Sequence, residues 1–168
     1  MAGTNRGVFP IEPRCEEVTL DILSWRQIDF SGVVLAGLMA GYLMALAGLW
    51  ADRIPGLAAV DIADFGRRYM ISDRPSAWLF GLISHLANSI ILTFLFAVAV
   101  VPNFTWPRWL AGSIYGLFLS IVLAGLLVSP MAGLGFMGRK AGGPGYAITD
   151  MLIHLLWGVL IGLIYVPL

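Results

Sequence analysis

Charge is what this chain has least of. Asp, Glu, Lys and Arg make up only 12% of its 168 residues, about half the roughly 25% of a soluble domain. The ten basic residues cancel the ten acidic ones, so the chain offers no field to attract nucleic acid or an acidic substrate. Cysteine occurs once, as Cys15, which excludes an internal disulfide. Residues 1–17, MAGTNRGVFPIEPRCEE, hold no apolar stretch of signal-peptide type, so the first membrane helix is expected to direct insertion. Cys/His clusters at metal-ligand spacing are missing, as are carboxylate pairs inside an apolar run. The GGPGY segment at 142–146 lacks the lysine and hydroxyl of a phosphate loop and reads as a flexible turn. No catalytic residue and no metal site is assigned, and the chain is expected not to be an enzyme.

Apolar residues are what is there. They reach 59%, with a mean hydropathy of +0.86, and they fall into runs at 31–50, 77–101, 109–128 and 147–166. Each run has the roughly 20 residues needed to cross about 30 Å of hydrocarbon as a helix. In lipid, backbone groups must be satisfied within the segment, so helices are the reading these runs permit. The expected fold is all-α: a polytopic membrane protein with four transmembrane helices in an up-down bundle. Trp50, Trp78, Trp106, Trp109 and Tyr146 stand at or near the ends of the runs, where amphipathic rings settle at headgroup level. The prolines of VPNFTWPR stop the second helix and make the second and third antiparallel neighbours.

Residues 1–30 form a tail, and 31–168 a single transmembrane domain. Within the tail, 16–30 place Val18, Ile22 and Trp25 at helical spacing with carboxylates ahead of them, the pattern of a helix lying on the membrane surface. The 60–75 loop carries Arg67, Arg68 and Arg74, read first as headgroup anchors and second as an anion site. Six Lys and Arg flank the spans on that loop's face against four on the other. The positive-inside rule then puts both termini on the same side, in the periplasm of a bacterial inner membrane.

The chain also repeats itself. Gly37, Gly41 and Pro55 recur 75 positions on as Gly112, Gly116 and Pro130, and His85 recurs 69 positions on as His154. Two helical hairpins of one topology, at about 31–101 and 106–168, follow, related by a pseudo-two-fold axis along the membrane normal. These residues, with Pro130-Met131-Ala132-Gly133, Gly158 and Gly162, resemble a group of small bacterial four-helix membrane proteins classed as a domain of unknown function. The resemblance covers residues 32–166 and implies a shared fold without an activity.

His85 and His154 are the only histidines and both lie inside apolar runs, which makes them functional suspects. In an up-down bundle the second and fourth helices are diagonal neighbours, and histidines at matched depth on such helices can hold haem b, with Arg53, Arg74, Arg139 and Lys140 towards the propionates. Packing explains the same residues without a cofactor. Gly37 with Gly41, Gly112 with Gly116, and Gly158 with Gly162 let backbones approach closely. Ser84, His85, Asn88 and Ser89 form a polar stripe, and Asp150 lies one turn before His154. The main expectation is an accessory subunit held in the bilayer by a larger respiratory or photosynthetic electron-transfer complex. The alternatives are a haem- or chlorin-binding electron carrier using His85 and His154, and a proton or quinone site.

Overall fold

The computed structural model describes Ile22 and residues 27–167. All regular structure among them is helical, and four helices are long and apolar enough to span a membrane. The protein is a multi-pass membrane protein with a four-helix transmembrane bundle. The surface helix expected over 16–30 lies outside the described residues up to position 26, apart from Ile22, which is exposed.

Helix α1 (Phe30–Leu49) opens behind Asp29, whose extended backbone ends the preceding segment. Its Gly37 and Gly41 face inward with Val33, Ala36, Ala40 and Met44, while Leu35, Leu38, Met39 and Tyr42 face out. Outward apolar side chains are what a lipid solvent requires. A short helix, α2 (Asp64–Met70), follows in the segment expected to be a loop. Its signal is local: Asp64 pairs with Arg68 at 3.0 Å and with Arg67 at 3.6 Å, spacings that only a helix brings together. Those two arginines are thus engaged by a carboxylate of their own helix.

Helix α3 (Pro75–Leu95) starts with proline in its first turn, where the missing N–H costs nothing. It runs on as a π-helical turn, Phe96–Val100. Helix α4 (Arg108–Leu119) also loosens into π-helix, here over Ser120–Val128, and closes at Ser129–Met131. The last helix, α5 (Arg139–Ile164), begins earlier than its apolar run. GGPGY holds the expected turn ahead of the fourth span in its first two residues. Only Gly142 and Gly143 leave helical geometry, and Pro144, with φ already near the helical value, restarts the helix directly behind them.

The helices are arranged in chain order around the bundle. Helix α1 packs against α3 and α5, and α5 packs closely against α4. The N-terminus of α1 meets the end of α5, since Gly32 lies beside the Tyr165 ring, so both ends of the described chain are at one face. The expected neighbours α3 and α4 touch mainly near their connection. There Tyr115 donates to the Leu92 carbonyl at 3.1 Å and its ring meets Phe96. Further from the turn they separate.

Two kinds of seam hold the bundle. Between α4 and α5 backbone meets backbone: a Cβ on Gly112 would run into the carbonyl oxygen of Gly158, one on Gly116 into that of His154, and one on Gly162 into that of Arg108. Between α1 and α3 the seam is mixed, side chain against Gly41 and main chain against Gly37. A Cβ on Gly41 would stand 2.7 Å from the Ser89 hydroxyl, and one on Gly37 2.8 Å from the Ile90 Cα. Tyr146, expected at the headgroup level, is buried against the protein, its ring lying over Gly138, where there is no side chain to displace it. Trp50, Trp106 and Trp109 are exposed, and Arg53 stacks 3.9 Å over the Trp50 ring.

Candidate functional site

The separation of α3 from α4 leaves a cavity of about 250 Å³. Its polar wall comes from α3 and α5: Ser84, His85, Asn88 and Ser89 on one side, Asp150 and His154 on the other. Every polar intramembrane residue singled out in the sequence lines this one space. Its apolar wall includes Phe80 and Leu92 from α3, Leu123 and Ala124 from the π-helical part of α4, and Phe65 from α2. Phe80, Ser84 and Asn88 are exposed, so the cavity opens on the flank of α3, towards the bilayer. Ser84 and Asn88 therefore sit at its mouth rather than packing against protein, because α4 is not close enough on that side to cover them.

Helix α2 roofs the cavity. Its seat on α3 is a glycine contact, in which a Cβ on Gly66 would press on the carbonyl of Ala77 and a Cβ on Gly81 on that of Ala63. From there α2 reaches across to α4, where Tyr69 donates to the Val128 carbonyl at 3.2 Å. Burial of the Tyr69 phenol pushes its pKa above the ordinary value. On the same face Trp78 donates to Asp61 at 2.9 Å, tying the start of α3 to the segment before α2.

Inside the cavity the polar groups form two clusters. On α5, Asp150 accepts from the hydroxyl of Ser120 at 2.6 Å, and His154 Nδ1 donates to the Asp150 main-chain oxygen at 2.8 Å while lying 3.5 Å from the carboxylate. The expected pairing of Asp150 with His154 is present, with Ser120 as a third member. On α3, His85 Nε2 donates to the Gly41 carbonyl at 3.1 Å. One turn on, Ser89 donates to the Gly37 carbonyl at 2.7 Å and receives the Trp157 indole N–H at 2.7 Å. That last bond joins the diagonal helices α3 and α5 directly. Asp150, Ser89, Ser120 and Trp157 are buried, and both histidines are half-buried.

Three of these participants carried no signal of their own in the sequence. Ser120 and Trp157 sit among apolar neighbours, and Tyr69 belongs to a segment read as a loop. The cations that a haem would need are elsewhere: no Arg or Lys is among the described residues lining the cavity. Arg53 is over Trp50, Arg139 over the Phe136 ring, and Lys140 in a separate crevice with Asp61, Asp64 and Arg68. No group of three His, Cys, Asp or Glu side chains suited to a metal ion occurs among the described residues. No family model, curated protein or solved structure matches the chain.

Proposed function

We propose that the protein binds a lipid-dissolved molecule with a ring-sized polar head, of the quinone class, in the cavity between α3, α4 and α5. The observation that carries this reading is a polar wall containing His85, His154 and Asp150 inside a cavity that opens sideways to the bilayer. Ligand sites are mostly apolar with a few convergent polar groups, and intramembrane ionisable groups mark functional positions. A volume of about 250 Å³ falls just below the roughly 300–1,000 Å³ of drug-sized sites, which suits a single head group whose tail remains in lipid. The role is one of binding and presentation, compatible with an accessory subunit that holds a carrier for an electron-transfer partner.

The test is extraction. Protein purified from its membrane in mild detergent should carry an isoprenoid quinone at close to one equivalent, and Ala124→Trp, which fills the cavity from α4, should lose it. Equal traces in both proteins would overturn the reading. Haem b is the second reading, favoured by one feature: each histidine gives one N–H to a main-chain carbonyl and keeps the other nitrogen, as metal-ligating histidines do. It has to accommodate the Trp157–Ser89 bridge across the diagonal and a cavity without cations. A visible spectrum of the same preparation separates the two.

A further inference from the structure

The hydrogen bonds of the cavity wall carry more than the presence of a ligand. A carbonyl oxygen only accepts, so the ring nitrogen facing it must hold the proton. His85 therefore carries its proton on Nε2, held by Gly41, and His154 on Nδ1, held by the Asp150 main chain. In a neutral imidazole the other nitrogen is then a lone pair. Asp150 adds a carboxylate already accepting from Ser120. The donors nearby are largely committed: Ser89 gives its hydrogen to Gly37, Trp157 gives its N–H to Ser89, and Tyr69 gives its own to Val128. Ser84, Asn88 and Ser129 can each donate or accept. The second ring nitrogens of His85 and His154 are thus acceptors in the wall, and the dedicated donor Trp157 is already used.

We infer that the cavity selects its ligand by the hydrogens the ligand brings. It takes the reduced, dihydroxylated form of the head group, a hydroquinone, in preference to the quinone, with His85 and His154 accepting hydrogen bonds from the hydroxyls. A quinone presents only carbonyl oxygens and would set lone pair against lone pair at both histidines, leaving buried acceptors unpaired. This inference rests on the binding function proposed above. The selection is for binding alone and involves no electron transfer within the chain.

The full-length protein in dodecyl maltoside, kept anaerobic, is titrated with three probes of one ring and tail: decylubiquinol, decylubiquinone, and the dimethyl ether of decylubiquinol. The expected order puts decylubiquinol first by about tenfold or more over each of the others, the yield of two hydrogen bonds gained. His85→Phe and His154→Phe, accepted only where far-UV circular dichroism and gel filtration match wild type, should each shrink that preference. The wild-type comparison decides even where a variant fails to fold. Decylubiquinone binding as tightly as the quinol, or the ether doing so, would overturn donor selection while leaving a ligand site in place. Binding of none of the three would overturn the site itself.

Discussion

Gly112→Ala should cost the protein about 2 kcal/mol, while Gly41→Ala, in the first hairpin, should cost about half as much. At Gly112 the added methyl meets only main chain: the Gly158 carbonyl oxygen, its carbon at 3.1 Å, and the Gly162 nitrogen at 3.4 Å. Main chain in the middle of a helix cannot rotate away, so α4 and α5 must separate. Overpacking costs roughly 1–3 kcal/mol, the upper end applying where only main chain can yield, less up to about 1 kcal/mol that alanine returns in helix propensity. At Gly41 the neighbours are the Ser89 hydroxyl at 2.7 Å, the Ser89 Cβ at 2.8 Å and the Leu86 methyl at 3.4 Å. Turning Ser89 moves its hydroxyl at the expense of its bonds to Gly37 and from Trp157, about 0.6 kcal/mol each, but leaves its Cβ in place, so α3 must also shift slightly, an overpacking at the lower end of that range that the propensity gain offsets. The assay is reversible unfolding in dodecyl maltoside by titration with sodium dodecyl sulfate, followed by far-UV circular dichroism. Gly158→Ala should match Gly112→Ala, and the double variant should fall short of the sum, because both methyls open one seam. Gly112→Ala as stable as wild type, or a larger loss at Gly41, would refute the assignment of a rigid seam to the second hairpin.

Ser120→Ala removes the 2.6 Å donor to the Asp150 carboxylate and should cost about 1–3 kcal/mol in the same assay, above the ordinary interhelical contact; a loss no greater than that of the exposed Ser76→Ala would contradict the cluster. Tyr69→Phe cuts the link from α2 to Val128, so a cysteine placed at the buried cavity position Ser129 in a Cys15→Ser background should react several-fold faster with a bilayer-soluble maleimide, and an unchanged rate would mean that α2 does not guard the cavity. The Asp29 carboxylate, beside the Gly32 amide and receiving the Ser31 hydroxyl, is held below the usual carboxylate pKa of 3.8. Because its folded value is the lower one, its contribution is present above pH 3.8 and lost as pH falls through the folded value. Wild type should therefore lose stability over that acid window more than Asp29→Asn, and identical profiles would remove the carboxylate from the account.

How much of this was legible in the sequence follows from what each feature depends on. Spans depend on length and polarity of single segments, so all four were visible as apolar runs, with ends shifted where Pro144 could restart a helix. The paired glycines were visible too, since close approach demands a missing side chain at fixed spacing. Helix α2 was legible in principle through Asp64, Arg67 and Arg68, but arginines beside a membrane span suggest headgroups before they suggest a helix. The burial of Tyr146 depends on Gly138 making room for its ring, and no rule about aromatic residues contains that fact. The π-helical part of α4 has no residue signature. The cavity least of all could be read in advance, because it arises from two helices that diverge past Tyr115 and Leu92, a relation between segments rather than a property of either. That the polar residues would gather was foreseeable; that they would gather around a space was not.

The two hairpins show how one layout supplies both the packing and the cavity. The contact of Gly41 with Ser89 falls at positions that the repeat offsets of 75 and 69 carry to Gly116 and Gly158, which also touch. Corresponding positions hold different residues: Ser89 against Gly158, Thr93 against Gly162, and Gly81 against Asp150. In the second hairpin the small residues draw α4 and α5 into main-chain contact. In the first, Ser89 and His85 bring side chains into the seam, bonded to the carbonyls of Gly37 and Gly41, and α3 meets α1 main chain to main chain only where Ile90 lies beside Gly37. A bundle with one tight and one spaced hairpin leaves room on the flank where α3 faces α4. The position shared by Gly81 and Asp150 then serves two purposes. As glycine it gives α2 its seat against α3; as aspartate it supplies the carboxylate beneath that roof. Exchanging them, Gly81→Asp with Asp150→Gly, would unseat α2 and strip the acceptor from the site together. The pair should therefore fail to restore ligand binding even though it conserves composition and charge, and restored binding would show that the two hairpins had not divided these roles.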